Sequence, residues 1–254
     1  MPIMLAIMIK ATLWQIPGSH PCEAVHTAMT MKGMEVKTVN LLPVMHKPVQ
    51  RVMFGQATVP GVVFPGERVV GSRRIMQRLD QLVPEPPLFP ADPAARLKVE
   101  EAETWGDDVL QAAVRRLLWT VARHDPKTVL TALADPETLP IPLPIAMAGA
   151  KQIVWGETKI HGVTDETART DLSALKGLLD EVDRLISEGV IGGESPNAAD
   201  LQILSSIKLL SAVGDFRPLL EGRPSVALAD RVFPKSSGQV PAGVLPADEL
   251  ALLS

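Results

Sequence analysis

A proline-rich segment one third of the way along the chain constrains the fold more than any other feature of the sequence. Four prolines fall within residues 84–90. Proline fixes φ and has no amide hydrogen to donate, so neither a helix nor a central strand continues through such a segment. The 254 residues, 46% of them apolar, are enough for a separate core on each side of it. We therefore predict two domains, residues 8–84 and residues 93–254.

The first domain alternates short β-rich runs with helical periods, the pattern of a compact α/β unit. A probable turn at Pro65-Gly66 joins its last two strands into a hairpin. The predicted strands are 11–16, 35–40, 60–64 and 67–70. Two helices are predicted: the first carries Cys22 and ends at Gly33, and the second covers 73–82.

The second domain is predicted to be entirely helical. Its first helix, residues 94–123, carries a wide apolar stripe at helical spacing. Residues 136–144 form a predicted loop, and the segment after Pro234 is predicted to be a wrapped or mobile end. Further helices are predicted at 126–134, 145–161, 165–188, 198–213 and 225–233.

Charge and histidine spacing exclude two kinds of partner. The net charge is −4 and the basic residues are scattered, so we expect no nucleic acid partner. One cysteine excludes an internal disulfide framework or a cysteine-rich zinc site, and suits a reducing cytosol. The five histidines show no metal-ligand spacing, so we predict no metal.

The chain shows no signal for membrane insertion or export. No segment has about 18 uninterrupted apolar residues, so we expect no membrane association. Residues 1–9 are apolar, but they lack a basic stretch before the apolar run and a small-residue cleavage site. We expect a cytoplasmic protein whose natural translation starts at Met8, which makes residues 1–7 an extension.

Ser19 and Cys22 stand where the first predicted strand turns into the first predicted helix. Residues three apart at that place share the first helical turn. The free amide groups and the positive dipole end of this turn favour a thiolate or an alkoxide. The sequence therefore indicates a polar site at the start of this helix.

Four short motifs carry a family resemblance. They are Ser19–Val25, Thr58-Val59-Pro60, Gly71-Ser72 and Asn197–Leu201. In this order they resemble the glutathione S-transferase family, over most of residues 11–233. The resemblance implies an α+β/α fold: an N-terminal thioredoxin-like α/β domain followed by an all-α helical-bundle domain. In Asn197–Leu201 the resemblance implies only a helix cap, which is typically worth about 1 kcal/mol.

The resemblance implies Ser19 as the residue that activates the thiol. The chain has no tyrosine, which excludes the tyrosine-type members, and the Ser19 motif looks closest to the serine-type, theta-like pattern. There the serine donates a hydrogen bond to the thiolate and lowers its pKa. Cys22 aligns with the second position of the cysteine-type members. It is either a packing thiol or the reactive group of a thiol reductase or peroxidase.

The resemblance also implies the residues that bind the thiol, glutathione or another low-molecular-weight thiol such as mycothiol or bacillithiol. Pro60 is expected to be cis, with Val59 offering its backbone to the thiol peptide. Ser72 is expected to hold a carboxylate at a helix N-terminus, although it fits a plain helix cap equally well. Gly71 departs from the family's acidic residue. His46, with Lys47 in the loop after the second strand, falls where serine-type members place a basic residue against the glycine carboxylate of glutathione, although a solvated loop pair fits equally well.

The resemblance implies Trp105 and Asp108 as contacts of the electrophile, although Trp105 also fits a core position. The resemblance implies a homodimer that transfers the thiol to an electrophilic small molecule. One alternative is a non-catalytic binding or structural module, for which Gly71 speaks. The other is the thiol reductase or peroxidase that uses Cys22.

Overall fold

The structure is a computed structural model that describes residues 9–235 and 238–253. The expected start at Met8, the extension over residues 1–7 and the last residue of the second predicted domain lie outside the described residues.

The first domain is a four-stranded mixed sheet with the order β2-β1-β3-β4. Strands β1 and β2 are parallel because a helix crosses over between them, whereas β3 and β4 form an antiparallel hairpin at Pro65-Gly66. All four predicted strands are present to within one residue. The elements are β1 Lys10–Gln15, α1 His20–Met31, β2 Glu35–Asn40, α2 His46–Phe54, β3 Gly61–Phe64, β4 Glu67–Val70 and α3 Ser72–Leu82.

Helix α2 corrects the expected loop around His46. This residue is the first of a nine-residue helix and is buried. Gly55 ends the helix with φ +73, a left-handed conformation that favours glycine. The helix is short, so the sequence offers too few turns for its period to stand out.

Lys32 fastens the linker between the domains to the first domain. Its ammonium group donates to Asp80 Oδ1 at 2.9 Å, to the Val83 carbonyl at 2.6 Å and to the Pro86 carbonyl at 2.7 Å. The Lys32 side chain is fully buried, and Asp80 Oδ1 also accepts the Leu88 amide at 2.7 Å. Two of these four bonds reach into residues 84–90, so this one buried ion pair holds the proline-rich segment in place.

The second domain opens with α4, Pro93–Trp105, and α5, Gln111–His124. The predicted single helix over 94–123 is present as a continuous rod, but residues 106–110 between α4 and α5 are π-helical. The π-helical turn starts at Gly106, where a Cβ would lie 2.8 Å from Ile203. Glycine therefore allows this turn to approach the central helix of the domain.

The rest of the second domain is helical, as predicted, with one division. The predicted helix 145–161 is two helices because the chain turns at Gly149. The helices are α6 Pro126–Leu133, α7 Leu143–Ala148, α8 Ala150–His161, α9 Asp165–Ser187, α10 Ala198–Ser211, α11 Arg217–Leu220, α12 Pro224–Val232 and α13 Ala247–Leu250.

Helix α10 is the centre of the molecule, buried along almost its whole length and packed against α1 of the first domain as well as α4, α5 and α12. The predicted capping box starts it. Asn197 Oδ1 accepts the Asp200 amide at 3.0 Å, and the Asp200 carboxylate accepts the Asn197 amide at 3.0 Å. Asp200 also accepts the Gly192 amide at 2.7 Å, which ties the preceding loop to the helix.

The described part of the tail, residues 238–253, wraps against the second domain. Val240 forms a β-bridge with Val213. The Asp215 carboxylate accepts the amides of Gly243, Val244 and Leu245. Of the two expectations for the segment after Pro234, the wrapped end is the one found over these residues.

Candidate active site

A cavity of about 200 Å³ lies between the two domains. Its first wall is made by the start of α1, the β2–α2 connection and the turn before β3, and its second wall by α5 to α8. The first wall includes Ser19, His20, Leu42, His46 and Val59, and the second includes Arg115, Trp119, Leu130, Met147 and Glu157.

Ser19 precedes α1 and lies in the cavity wall, half-buried. Its backbone is extended, with φ −75 and ψ 116, and its carbonyl accepts the Cys22 amide at 2.9 Å. The Ser19 side chain makes no capping hydrogen bond to the helix. The hydroxyl therefore caps none of the backbone amides of the helix, and its hydrogen bond is with the thiol of Cys22.

Cys22 is fully buried one turn into α1 and is not part of the cavity wall. Burial raises the pKa of its thiol to about 12, while a hydrogen bond with Ser19 acts in the opposite direction. Thiols react as thiolates, and at neutral pH this thiol stays protonated. Of the two interpretations of Cys22, these surroundings favour the packing thiol.

Val59 borders the cavity and precedes a cis Pro60, as predicted. Within the described residues, neither the Val59 amide nor its carbonyl forms a backbone hydrogen bond. The next residue differs, because the Pro60 carbonyl accepts the Gly71 amide at 2.9 Å. Among the described residues the Val59 carbonyl accepts only the Thr58 hydroxyl, at 3.3 Å, so the Val59 backbone has no backbone partner and can pair with a ligand in the cavity, a mode typical of peptide recognition.

Gly71 and Ser72 are not part of the cavity wall. Gly71 has φ +92, a backbone conformation that is strained for residues other than glycine. This accounts for glycine where the resemblance implies an acidic residue. Ser72 begins α3 and is buried, 4% exposed. The structure thus brings Ser19, His46 and Val59 together but does not place Ser72 in the same wall.

His46 contributes a neutral imidazole to the cavity. Burial lowers its pKa, which outweighs the opposite effect of Glu157. Its Nδ1 is buried without a hydrogen-bond partner in the described structure. Of the two expectations for His46, the solvated loop is not found, because the residue is buried and its imidazole is neutral.

Glu157 on α8 fixes the β2–α2 connection over the cavity. Its Oε1 accepts the Val44 amide at 2.6 Å, and its Oε2 lies 3.0 Å from His161 Nε2. Burial raises the Glu157 pKa, but these two hydrogen bonds outweigh it and lower the pKa overall. Val44 has φ +66, uncommon for a β-branched residue, and a Cβ on Gly156 would lie 2.7 Å from its side chain.

Trp105 and Asp108 do not border this cavity. They line a shallow surface depression together with Arg73, Leu97 and Val109. The helical side chains that do face the cavity, Arg115, Leu118 and Trp119, lie further along the same rod. Trp119 follows Trp105 by 14 residues, a distance of ~21 Å along a helix.

Sequence reasoning missed Arg115 and Trp119. The available signal was the helical spacing of Gln111, Arg115 and Trp119, which places three large polar or amphipathic side chains in one row beside the apolar stripe. That spacing alone does not say which side of the row faces a cavity.

Glu103, on α4 near the start of α3, is a buried carboxyl outside the cavity. Both its oxygens lack a hydrogen-bond partner in the described structure, and Arg73 Nε lies 3.7 Å from Oε2. Burial raises the Glu103 pKa from its ordinary 4.5 to about 8, more than the Arg73 charge lowers it.

We predict that Glu103→Gln reduces the loss of stability between pH 5 and pH 8. Because the folded pKa is the higher one, the folded state holds more protons between the two values, and stability falls as pH rises through that window. The gain in Tm over the unsubstituted protein should be larger at pH 8 than at pH 5. Glu101→Gln, on the exposed face of α4, is the control. Equal Tm differences at the two pH values would contradict the prediction.

The sequence of the first domain and the fold of the whole chain are similar to those of known proteins. Residues 13–87 match the family described as glutathione S-transferase, N-terminal domain. No curated protein sequence matches the chain.

Solved structures match the chain over both domains. A rice glutathione S-transferase in complex with glutathione has a TM-score of 0.60 and 16% identity, covering 91% of this chain and 88% of its own. A glutathione S-transferase from Methylobacterium radiotolerans, in complex with glutathione sulfonate, has a TM-score of 0.54 and 20% identity, with 94% and 98% covered. A beta-etherase from Sphingobium sp. strain SYK-6 has a TM-score of 0.57 and 19% identity, with 89% and 95% covered. These similarities confirm the predicted fold.

None of the helices within 9–235 and 238–253 combines the length and apolar character needed to span a membrane. The same residues include no group of three or more histidine, cysteine, aspartate and glutamate side chains that could hold a metal ion.

Proposed function

We propose that the chain is a member of the glutathione S-transferase family that transfers a low-molecular-weight thiol to an electrophilic small molecule in the interdomain cavity. The match of residues 13–87 to the N-terminal domain of that family and the similar fold over both domains support the proposal. The observation that carries the proposal is that Ser19 lies in the same cavity wall as Val59, whose backbone forms no backbone hydrogen bond in the described structure.

Each of these two residues has a separate task in the proposed reaction. Val59 pairs with the backbone of the thiol peptide and so sets the position of its sulfur. The Ser19 hydroxyl donates a hydrogen bond to the thiolate. This bond lowers the pKa of the thiol, so that more of the thiol is ionised near neutral pH. The thiolate then forms a bond to the electrophilic carbon, the leaving group departs with its electron pair, and the thiol proton goes to solvent.

We propose glutathione as the thiol. Two of the three structural neighbours described above were solved with glutathione or glutathione sulfonate. Mycothiol and bacillithiol are the competing thiols, since Gly71 supplies no carboxylate to an ammonium group and His46 is neutral.

Calorimetric titration with these three thiols tests the proposal. We expect glutathione to bind with a Kd in the micromolar to millimolar range, more tightly than the other two. Binding of mycothiol or bacillithiol in its place would change the co-substrate. If no thiol binds, the proposed transferase is wrong and the chain is the non-catalytic binding module. Gly71 and the neutral His46 are the residues that favour this alternative.

The remaining proposals follow from the family. We propose a detoxifying, cytoplasmic homodimer with the domain boundaries 8–84 and 93–254, which sedimentation at micromolar concentration tests for the oligomeric state. A single species of about 27 kDa would contradict the dimer. A thiol reductase or peroxidase that uses Cys22 is disfavoured by the high pKa of its thiol.

A further inference from the structure

Arg115 puts a positive charge into the interdomain cavity. It stands on α5 in the second-domain wall, across from Ser19 and His20. Burial lowers the pKa of its guanidinium, but an arginine remains protonated at neutral pH. Among the described residues it forms no ion pair, and its one side-chain hydrogen bond goes to Gln111 four residues earlier.

Other arginines of the same helix are paired in the ordinary way. Arg116 donates two hydrogen bonds to Asp171, at 2.6 and 2.7 Å, and Arg123 donates to Asp165 at 2.8 Å. Asp107 and Glu157 lie close enough to Arg115 to affect its pKa but do not pair with it. An unpaired cation in a partly buried site is unfavourable unless a ligand supplies the opposite charge.

His20 supplies a second polar atom without a partner in the same cavity. It is 3% exposed, its Nδ1 lies 3.0 Å from Ser206 Oγ, and its Nε2 is buried without a hydrogen-bond partner in the described structure. Burial lowers the pKa of His20, and the Arg115 charge adds to this, so the ring is neutral. When Nδ1 accepts the Ser206 hydroxyl, Nε2 carries the ring proton and can donate it to an anionic oxygen.

The surroundings of these two polar groups are apolar. Leu118, Trp119, Leu130 and Met147 line the cavity beside Arg115. An apolar pocket with a few converging polar groups binds an apolar body and fixes its orientation through the polar end. A guanidinium matches the planar carboxylate through two parallel hydrogen bonds.

We propose that the electrophile is an apolar molecule that carries a carboxylate, and that Arg115 pairs with this carboxylate. The proposal rests on the proposed thiol transfer, because it names the substrate class of that reaction. Arg115 is then the specificity-determining residue of the cavity, and His20 Nε2 is a second donor to the same anion.

A matched pair of aryl chlorides tests this in the transfer reaction. The probes are 4-chloro-3,5-dinitrobenzoate and its uncharged methyl ester. In each, the thiolate forms a C–S bond at carbon 4, the C–Cl bond breaks, chloride leaves with the electron pair and the thiol proton goes to solvent. We expect Arg115→Gln to lower kcat/KM for the benzoate about tenfold or more relative to the ester. Arg115→Lys should recover part of the loss, and Lys151→Gln, exposed on α8, should leave the ratio unchanged.

Calorimetry with 3,5-dinitrobenzoate, which has no leaving group, tests the anion site without the transfer reaction. We expect the unsubstituted protein to bind this benzoate at least about tenfold more tightly than 1,3-dinitrobenzene, and Arg115→Gln to remove the difference. Equal binding of the two probes by the unsubstituted protein would overturn the proposal. So would a loss confined to the Kd of glutathione, since Arg115 would then serve the thiol. If the benzoate binds through Arg115 but no thiol is transferred, the proposed function fails and the anion site stands.

Discussion

Replacing Ser19 by alanine is expected to lower kcat/KM for thiol transfer about 10- to 100-fold. A hydrogen bond to a charged group typically contributes about 1.5–3 kcal/mol, and each 1.36 kcal/mol is a factor of ten in rate. The Ser19 hydroxyl makes no capping bond to α1 and has only a hydrogen bond with the Cys22 thiol, so its removal should lower the free energy of unfolding by no more than about 1 kcal/mol. Steady-state kinetics with glutathione and 1-chloro-2,4-dinitrobenzene, together with thermal unfolding, measure both effects.

The pH dependence of the rate separates thiol activation from a structural role. If Ser19 stabilises the thiolate, Ser19→Ala should shift the pH profile of kcat/KM for the electrophile, measured at saturating glutathione, to higher pH, because the bound thiol regains a higher pKa. Cys22→Ala is the matched control, since Cys22 belongs to the same turn but is buried outside the cavity wall. It should change kcat/KM much less. Activity that survives Ser19→Ala and disappears in Cys22→Ala would replace the serine mechanism with a cysteine mechanism.

Replacing Lys32 by methionine is expected to lower the free energy of unfolding by about 3–5 kcal/mol. This is typical when one partner of a buried ion pair is removed and the other stays behind. Asp80 would keep its charge with only the Leu88 amide as a partner, and the carbonyls of Val83 and Pro86 would each lose a hydrogen bond. Urea unfolding measures the loss, which also loosens the linker that sets the two cavity walls against each other.

Lys10→Met is the matched control for Lys32→Met. Lys10 also pairs with an acid, Glu35 at 3.1 Å, but both side chains are exposed, 76% and 50%. Exposed pairs contribute about 0–1 kcal/mol, so this variant should unfold at nearly the same urea concentration as the unsubstituted protein. A similar loss in both variants would show that burial of the Lys32 pair does not determine its contribution.

Local signals in the sequence predicted most of the fold. The strands β1 to β4 have the period and length of strands, and the turn at Pro65-Gly66 joins two of them at short range. The Asn197–Asp200 capping box forms between residues three apart, so it depends on nothing distant. The absence of a helix or strand in residues 84–90 follows from proline itself. These features depend on the covalent chain and on neighbours along it, which is why the sequence alone was enough.

The site needed the tertiary structure. Helix α2 is short, and its placement depends on the contact between Val44 and Glu157, 113 residues apart. The neutral state of His46 follows from burial, which no local pattern records.

The sequence placed Trp105 at the cavity, whereas the structure places Arg115 and Trp119 there. The packing of the two domains decides which stretch of a long helix faces the other domain. A sequence determines its own turns, caps and periods. Which of its polar groups share a cavity without partners depends on contacts between residues far apart in the chain, and only the folded structure brings these together.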